Sequence, residues 1–129
     1  MEIKEKKLRI AVFSDDSEFR AHVVAMLGKH PWHGSPTVVT YDAATAQGLL
    51  ALLTEKPEIQ AVVLDGETQK DGAMSVSHTI EETVQNPPKK IFVVARQQDE
   101  WLARNAGSDA VLLKPLSPMS LSKSLQEVI

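Results

Sequence analysis

Short apolar runs recur along the chain at 8–13 (LRIAVF), 37–41 (TVVTY), 61–64 (AVVL), 91–95 (IFVVA) and 110–113 (AVLL). Each reads as a strand, and 61–64, a continuous run rich in β-branched residues, has the pattern of one covered on both faces, as in a parallel sheet. The intervening stretches change to helical spacing. The segment 17–29 places Phe19, Val23, Met26 and Leu27 on one face and is ended by Gly28 and Pro31. A second helix is expected over 43–55, capped by Asp42 and carrying Gly48 at a mild cost in propensity. The segment 73–84 has weaker apolar spacing at Met74, Val76 and Ile80 and is broken by Asn86, Pro87 and Pro88. A short helix at 99–105 ends at Ala106-Gly107, and a last one opens at Ser117-Pro118 and buries Leu121, Leu125 and Val128. The stretch 30–36 (HPWHGSP) has no period and reads as a loop. Strands alternating with helices, joined by right-handed crossovers, give a doubly wound α/β sandwich of three layers.

Length and composition narrow the picture without changing it. A chain of 129 residues fits one domain with a single core, and a hydrophobic content of 43% is that of an ordinary globular protein. No apolar run approaches the ~18 residues of a membrane span. The first seven residues, MEIKEKK, form a charged tail with no signal-peptide core behind them, so the domain is expected over 8–129. Cysteine is absent, which excludes thiolate chemistry and makes a cytoplasmic setting the default. A net charge of −3 with no long basic block argues against direct nucleic-acid binding.

Candidate chemistry sits at the strand ends. The run 61–64 stops at Asp65, and Gly66 opens a polar loop through Thr68, Gln69, Lys70 and Asp71. In open α/β sheets, ligands bind outside the carboxyl ends of the strands. Asp15 and Asp16 follow the first strand and Lys114 ends the fifth. With strands ordered 2-1-3-4-5, these side chains converge. Two carboxylates within a few Å repel unless a cation lies between them, and Mg²⁺ suits an all-oxygen site of one or two carboxylates. A lysine opposite would neutralise a phosphoryl group. The parts are those of phosphoryl transfer onto Asp65. Helix capping is the plainer role for the Asp15-Asp16 pair, and Asp16 can cap while Asp15 binds metal.

Taken in order, RIAVFSDDSEFR, AVVLDGE with Asp71-Gly72, and AGSDAVLLKPLSP resemble the CheY-like receiver domains of two-component response regulators along essentially the whole chain. A narrower likeness is to small actinobacterial stand-alone receivers that share an LRI strand and an LDGE loop. The resemblance implies that Asp65 is the phosphoacceptor and that Lys114 contacts the phosphoryl group. It also implies that Asp15 is a Mg²⁺ ligand, that Glu67 offers its backbone carbonyl to the metal, and that Lys114-Pro115 is a cis peptide. Several departures accompany it. The first acid of the usual pair is Ser14, at best a weak metal ligand, so Mg²⁺ binding is expected to be weak. The hydroxyl residue ending the fourth strand is Val94, and the aromatic three residues before the lysine is Val111. Those are the family's switch positions, here degenerate. The acceptor loop lacks its usual proline and is one residue short.

Three readings follow. The first is a receiver phosphorylated on Asp65 by a histidine kinase and passing the signal to a protein through the face of helix four, strand five and helix five. Its only enzymatic activity would be self-phosphorylation and autodephosphorylation, and a homodimer is left open. The second is a degenerate receiver that binds a partner independently of phosphorylation. The third, a dehalogenase-like phosphatase or flavodoxin, lacks a DxD motif and a glycine-rich phosphate loop. Because the chain ends with its last helix, no output domain is expected. His30, Trp32 and His33 share their loop with no other ligand type and Trp101 is read as structural, while Glu67 and Arg96 are expected to pair across the site mouth.

Overall fold

In the computed structural model, residues 6–68 and 72–129 are described. Most of the expected tail, and Asp71 of the loop after Asp65, lie outside them. The elements run β1 (Lys7–Phe13), α1 (Ser17–Leu27), β2 (Thr37–Ala43), α2 (Ala46–Glu55), β3 (Ala61–Asp65), α3 (Ala73–Thr83), β4 (Lys89–Val94), α4 (Asp99–Asn105), β5 (Ala110–Leu113) and α5 (Pro118–Val128). The five strands form one parallel sheet in the order β2-β1-β3-β4-β5.

Because side chains alternate across a strand, each strand feeds two cores. Ala11, Phe13, Val62, Leu64, Phe92 and Val94 pack with Leu49 and Leu53 of α2, Val76 and Ile80 of α3 and Ala103 of α4. Ile10, Val12, Ala61, Val63, Ile91 and Val93 pack on the other face with Val23 and Leu27 of α1 and Leu121 and Leu125 of α5. All five residues of β3 are buried, as an unbroken apolar run at the centre of a two-faced sheet requires. A lysine is among the polar side chains of this interior. Lys90 of β4 is fully buried and its ammonium is paired with the carboxylate of Glu81 on α3. Gly107 lies over it with φ +88°, and a Cβ there would stand 3.4 Å from Lys90 Nζ.

Element ends shift by a few residues from the expected ones, and one shift reassigns a residue. Asp42 does not cap a helix: β2 runs on to Ala43 in register with Phe13, because pairing with β1 extends the strand through it. The N-cap of α2 is Thr45, whose Oγ1 accepts the Gly48 N–H at 3.0 Å. Asp42 instead faces Arg20 of α1, 3.4 Å from Nε. α1 stops at Leu27, with Gly28 at φ +57° closing it through its N–H to the Val24 carbonyl. Ser117 caps α5 by a reciprocal box with Ser120, with Pro118 in the first turn.

The turn after β3 is pressed against β4. Gly66 N–H donates to the Val93 carbonyl at 2.7 Å. A Cβ at this position would lie 2.8 Å from Val93 O and 2.9 Å from Val94 Cγ1, so only glycine fits.

Two outcomes follow from this packing. Thr45→Ala should lower stability by about 1 kcal/mol in urea unfolding, whereas Asp42→Ala removes only a surface ion pair worth ~0–1 kcal/mol; a larger loss from Asp42→Ala would return the cap to that residue. Gly66→Ala should cost roughly 1–3 kcal/mol through overpacking. Its cost should fall by at least ~0.5 kcal/mol in a Val94→Ala background, and strict additivity would show that Val94 does not crowd the turn.

Candidate functional site

Strand parity brings the site together. Val12, Val63 and Leu112 all point into the core beneath α1 and α5. Two residues further along each chain path stand Ser14, Asp65 and Lys114, on the same face of the sheet. Register brings them to one level: Phe13 is opposite Leu64, which places Ser14 beside Asp65, and Asp65 is opposite Val93. Lys114 N–H then donates to the Val94 carbonyl at 2.8 Å, one step beyond the end of β5.

Asp65 is 2% exposed, and its carboxylate is met by three donors. Ser14 Oγ donates to Oδ2 at 2.6 Å, Lys114 Nζ lies 3.0 Å from Oδ1, and Glu67 N–H donates to the same Oδ1 at 3.0 Å. Ionised groups make the stronger hydrogen bonds, and a buried carboxylate without partners would be costly. The Lys114 side chain is a third exposed, so its pairing with Asp65 is partly screened by water, and its ammonium also stands over the Phe19 ring at 4.9 Å. Ser14 is itself fully buried and fixed from both ends. Its Oγ accepts the Asp16 N–H at 3.0 Å, and its carbonyl accepts from Arg20 Nη1 at 2.6 Å.

The remaining expected residues have more varied positions. Asp16 is the N-cap of α1, its Oδ1 accepting the Glu18 N–H at 2.9 Å. That leaves Asp15 exposed and, among the described residues, without a hydrogen-bond or ion-pair partner. The Glu67–Arg96 pair is replaced. Glu67 Oε1 accepts the Ala95 N–H at 3.1 Å, clasping the loop after β3 to the end of β4. Arg96 makes a two-point contact with Asp99, at 3.1 and 3.2 Å, and its pKa is raised, chiefly by that hydrogen bond and the Asp99 charge. The nearer partner wins because Asp99 lies one turn away on the same segment. Val94 is buried with the core under α2, α3 and α4, and Val111 is half-buried against the same cluster. The Lys114–Pro115 bond is cis. Trp32 is half-buried against the α1/α5 core, and His30 Nδ1 lies 3.0 Å from the Ser35 carbonyl. Trp101 is 69% exposed.

Phe19 and Arg20 are site residues that sequence reasoning missed. Phe19 was legible only as part of the apolar face of α1, and Arg20 only as the last residue of the motif RIAVFSDDSEFR. Their spacing from Ser14 places both in the first turn beside the strand end, which is the signal that could have found them.

For a metal, the described residues contain no group of three His, Cys, Asp or Glu side chains that could hold an ion. The loops offer the Asp15 and Asp65 carboxylates and the Glu67 carbonyl. Hard oxygens of this kind, with two carboxylates, fit Mg²⁺, which keeps much of its water shell. The Ser14 oxygen is already engaged as donor to Asp65 and acceptor from Asp16.

No protein-family model matches the chain. It is 25% identical over 122 residues to uncharacterized response regulatory proteins from two strains of Mycobacterium tuberculosis, covering 95% of this chain and 91% of theirs. Among solved structures it superposes on the response regulator signal receiver domain from Bermanella marisrubri with a TM-score of 0.79, at 21% identity over 95% of this chain and 98% of that one. The Vibrio cholerae chemotaxis protein CheY4 gives a TM-score of 0.74 at 17% identity, covering 96% of this chain and all of that one. The structural likenesses show the CheY-like fold, and the sequence likeness to response regulatory proteins runs along nearly the whole chain.

Proposed function

We propose that this receiver accepts a phosphoryl group on Asp65 from the phosphohistidine of a histidine kinase, and that a protein partner reads the result. The observation that carries this reading is the Lys114 ammonium 3.0 Å from the carboxylate of a buried aspartate at the end of the central strand. An Asp65 oxygen forms the new bond to phosphorus while the bond from phosphorus to the donor's imidazole nitrogen breaks, and the nitrogen keeps the electron pair. Lys114 then has a phosphoryl oxygen to neutralise in place of the bare carboxylate. Glu67 N–H holds Oδ1, and the clasp from Glu67 to Ala95 keeps the loop in place during transfer. Asp15, Asp65 and the Glu67 carbonyl would hold Mg²⁺, which supplies positive charge against the phosphoryl oxygens. Self-phosphorylation from a small donor and autodephosphorylation are the only enzymatic steps required.

Partner docking is assigned to the face of α4, β5 and α5. Trp101 (69% exposed), Leu102, Leu113 and Met119 (81% exposed) all lie on these elements. Aromatic and methionine side chains left in water on one face favour a protein partner. A histidine kinase and a downstream protein are the expected partners, with a second copy of the chain as another occupant. No helix among the described residues is long and apolar enough to cross a membrane, and the proposed setting is the cytoplasm.

A second reading, a module that binds its partner without phosphorylation, is favoured by one feature of the coupling path. In the family's arrangement a hydroxyl on the fourth strand follows the phosphoryl group and an aromatic on the fifth follows inward. Val94 has no donor and packs with the opposite core, and Val111 is small and half-buried. A ligand shifts an equilibrium only by its differential affinity for the two states.

Incubation with Mg²⁺ and acetyl phosphate should add one phosphoryl group to the wild type by intact mass, and none to Asp65→Asn. Absence of the adduct on the wild type would overturn the acceptor role. On the second reading, loading with Mg²⁺ and beryllium fluoride should leave backbone NMR shifts over 96–110 and α5 nearly unchanged, and Val94→Thr/Val111→Tyr should enlarge them; large wild-type shifts would show a switched face, as the first reading requires.

A further inference from the structure

Three donors satisfy the Asp65 carboxylate without any metal ion, and one of them is the Ser14 hydroxyl, at a position where the receiver likeness expects an acid. A hydroxyl carries one proton and rotates to suit its surroundings. Here the rotation is fixed: the Ser14 oxygen accepts the Asp16 N–H at 3.0 Å, which leaves its proton for Asp65 Oδ2 at 2.6 Å. Arg20 Nη1 on the Ser14 carbonyl, with Asp42 behind Arg20, anchors the residue from the other side. The hydroxyl is therefore an aimed donor in a fully buried place.

The charges at the sheet edge have the same consequence. A carboxylate at position 14 would stand within hydrogen-bonding distance of Asp65, with Lys114 as the counter-charge, and two such acids together demand a cation. Serine leaves one negative group, one positive group and one neutral donor. Asp15, the acid that remains, is exposed to water.

We infer that Ser14 is a positioning residue that takes the place of the divalent cation in the resting site. It holds Asp65 oriented and balanced without metal, so that the cation binds appreciably only together with a phosphoryl group. The inference rests on Asp65 being the acceptor and adds to it how metal uptake is regulated. Metal alone has little to gain, because Oδ2 already accepts the Ser14 hydroxyl and Oδ1 the Lys114 ammonium and the Glu67 N–H. A phosphoryl group on Asp65 brings new negative charge that neither Ser14 nor Lys114 alone can offset, and the cation then becomes favourable.

The test is thermal unfolding of the full chain, followed by circular dichroism, in excess EDTA and in MgCl₂ at matched ionic strength. The wild-type midpoint should be the same in both. Ser14→Ala frees Oδ2 and Ser14→Asp adds a second acid. Each should unfold at lower temperature in EDTA and recover with Mg²⁺, Ser14→Asp by roughly 5–10 °C once Mg²⁺ is about 100-fold above its dissociation constant. A wild-type midpoint that rises with Mg²⁺ as far as that of Ser14→Asp would overturn the inference. So would a folded Ser14→Ala that gains nothing from Mg²⁺, and this variant carries the test should Ser14→Asp fail to fold. Acetyl phosphate labelling of the wild type is read separately. Its failure alongside the expected melting pattern removes the acceptor role of Asp65 while leaving the metal-replacing role of Ser14 in place.

Discussion

A negative charge placed at the buried end of a central parallel strand has to be compensated where it stands, and the arrangement of this sheet edge follows from how that is done for Asp65. Water reaches only 2% of the residue, so hydration cannot carry the charge. Lys114 answers from the end of β5, the Glu67 amide from the loop after β3 and Ser14 from the end of β1. Each of these depends on another contact. Lys114 lies over Phe19, Glu67 is clasped to Ala95 and Ser14 is held by Arg20 and Asp16. The compensation of one carboxylate thus ties together four strand ends and the first turn of α1.

The fold was legible because its signals are one-dimensional. Unbroken apolar runs such as 61–64, separated by stretches of helical period, leave few architectures, and handedness rules remove most of those. The convergence of Asp65 and Lys114 was legible for the same reason: both end strands that lie near each other in the sheet. Strand parity explains why it works, since Val63 and Leu112 already commit the residues two positions later to the face beneath α1 and α5.

What stayed hidden depends on three-dimensional competition between near-equal partners. Asp42 and Thr45 are both good caps, and only the pairing of β2 with β1 as far as Ala43 decides between them. Arg96 had two acids within reach; Asp99 on its own turn takes it, leaving Glu67 for a backbone amide. Ser14 was legible as a lost acid, but its aimed hydrogen bond depends on Asp16 and Arg20 together. Gly66 looked like an ordinary loop opener, and its close approach to Val93 and Val94 belongs to the strand neighbour rather than to the local sequence.

Lys90 gives the opposite face of the sheet a reporter of its own. Its ammonium is enclosed by Glu81 and Gly107 at the foot of α3, whereas Lys114 is a third exposed at the sheet edge. An amine-reactive reagent added to the folded chain reaches Lys90 only when α3 or the turn at Gly107 lifts from it, so its modification rate measures local opening on that face. Loosening of that face can in this way be followed separately from events at Asp65, by the chemistry of a single side chain.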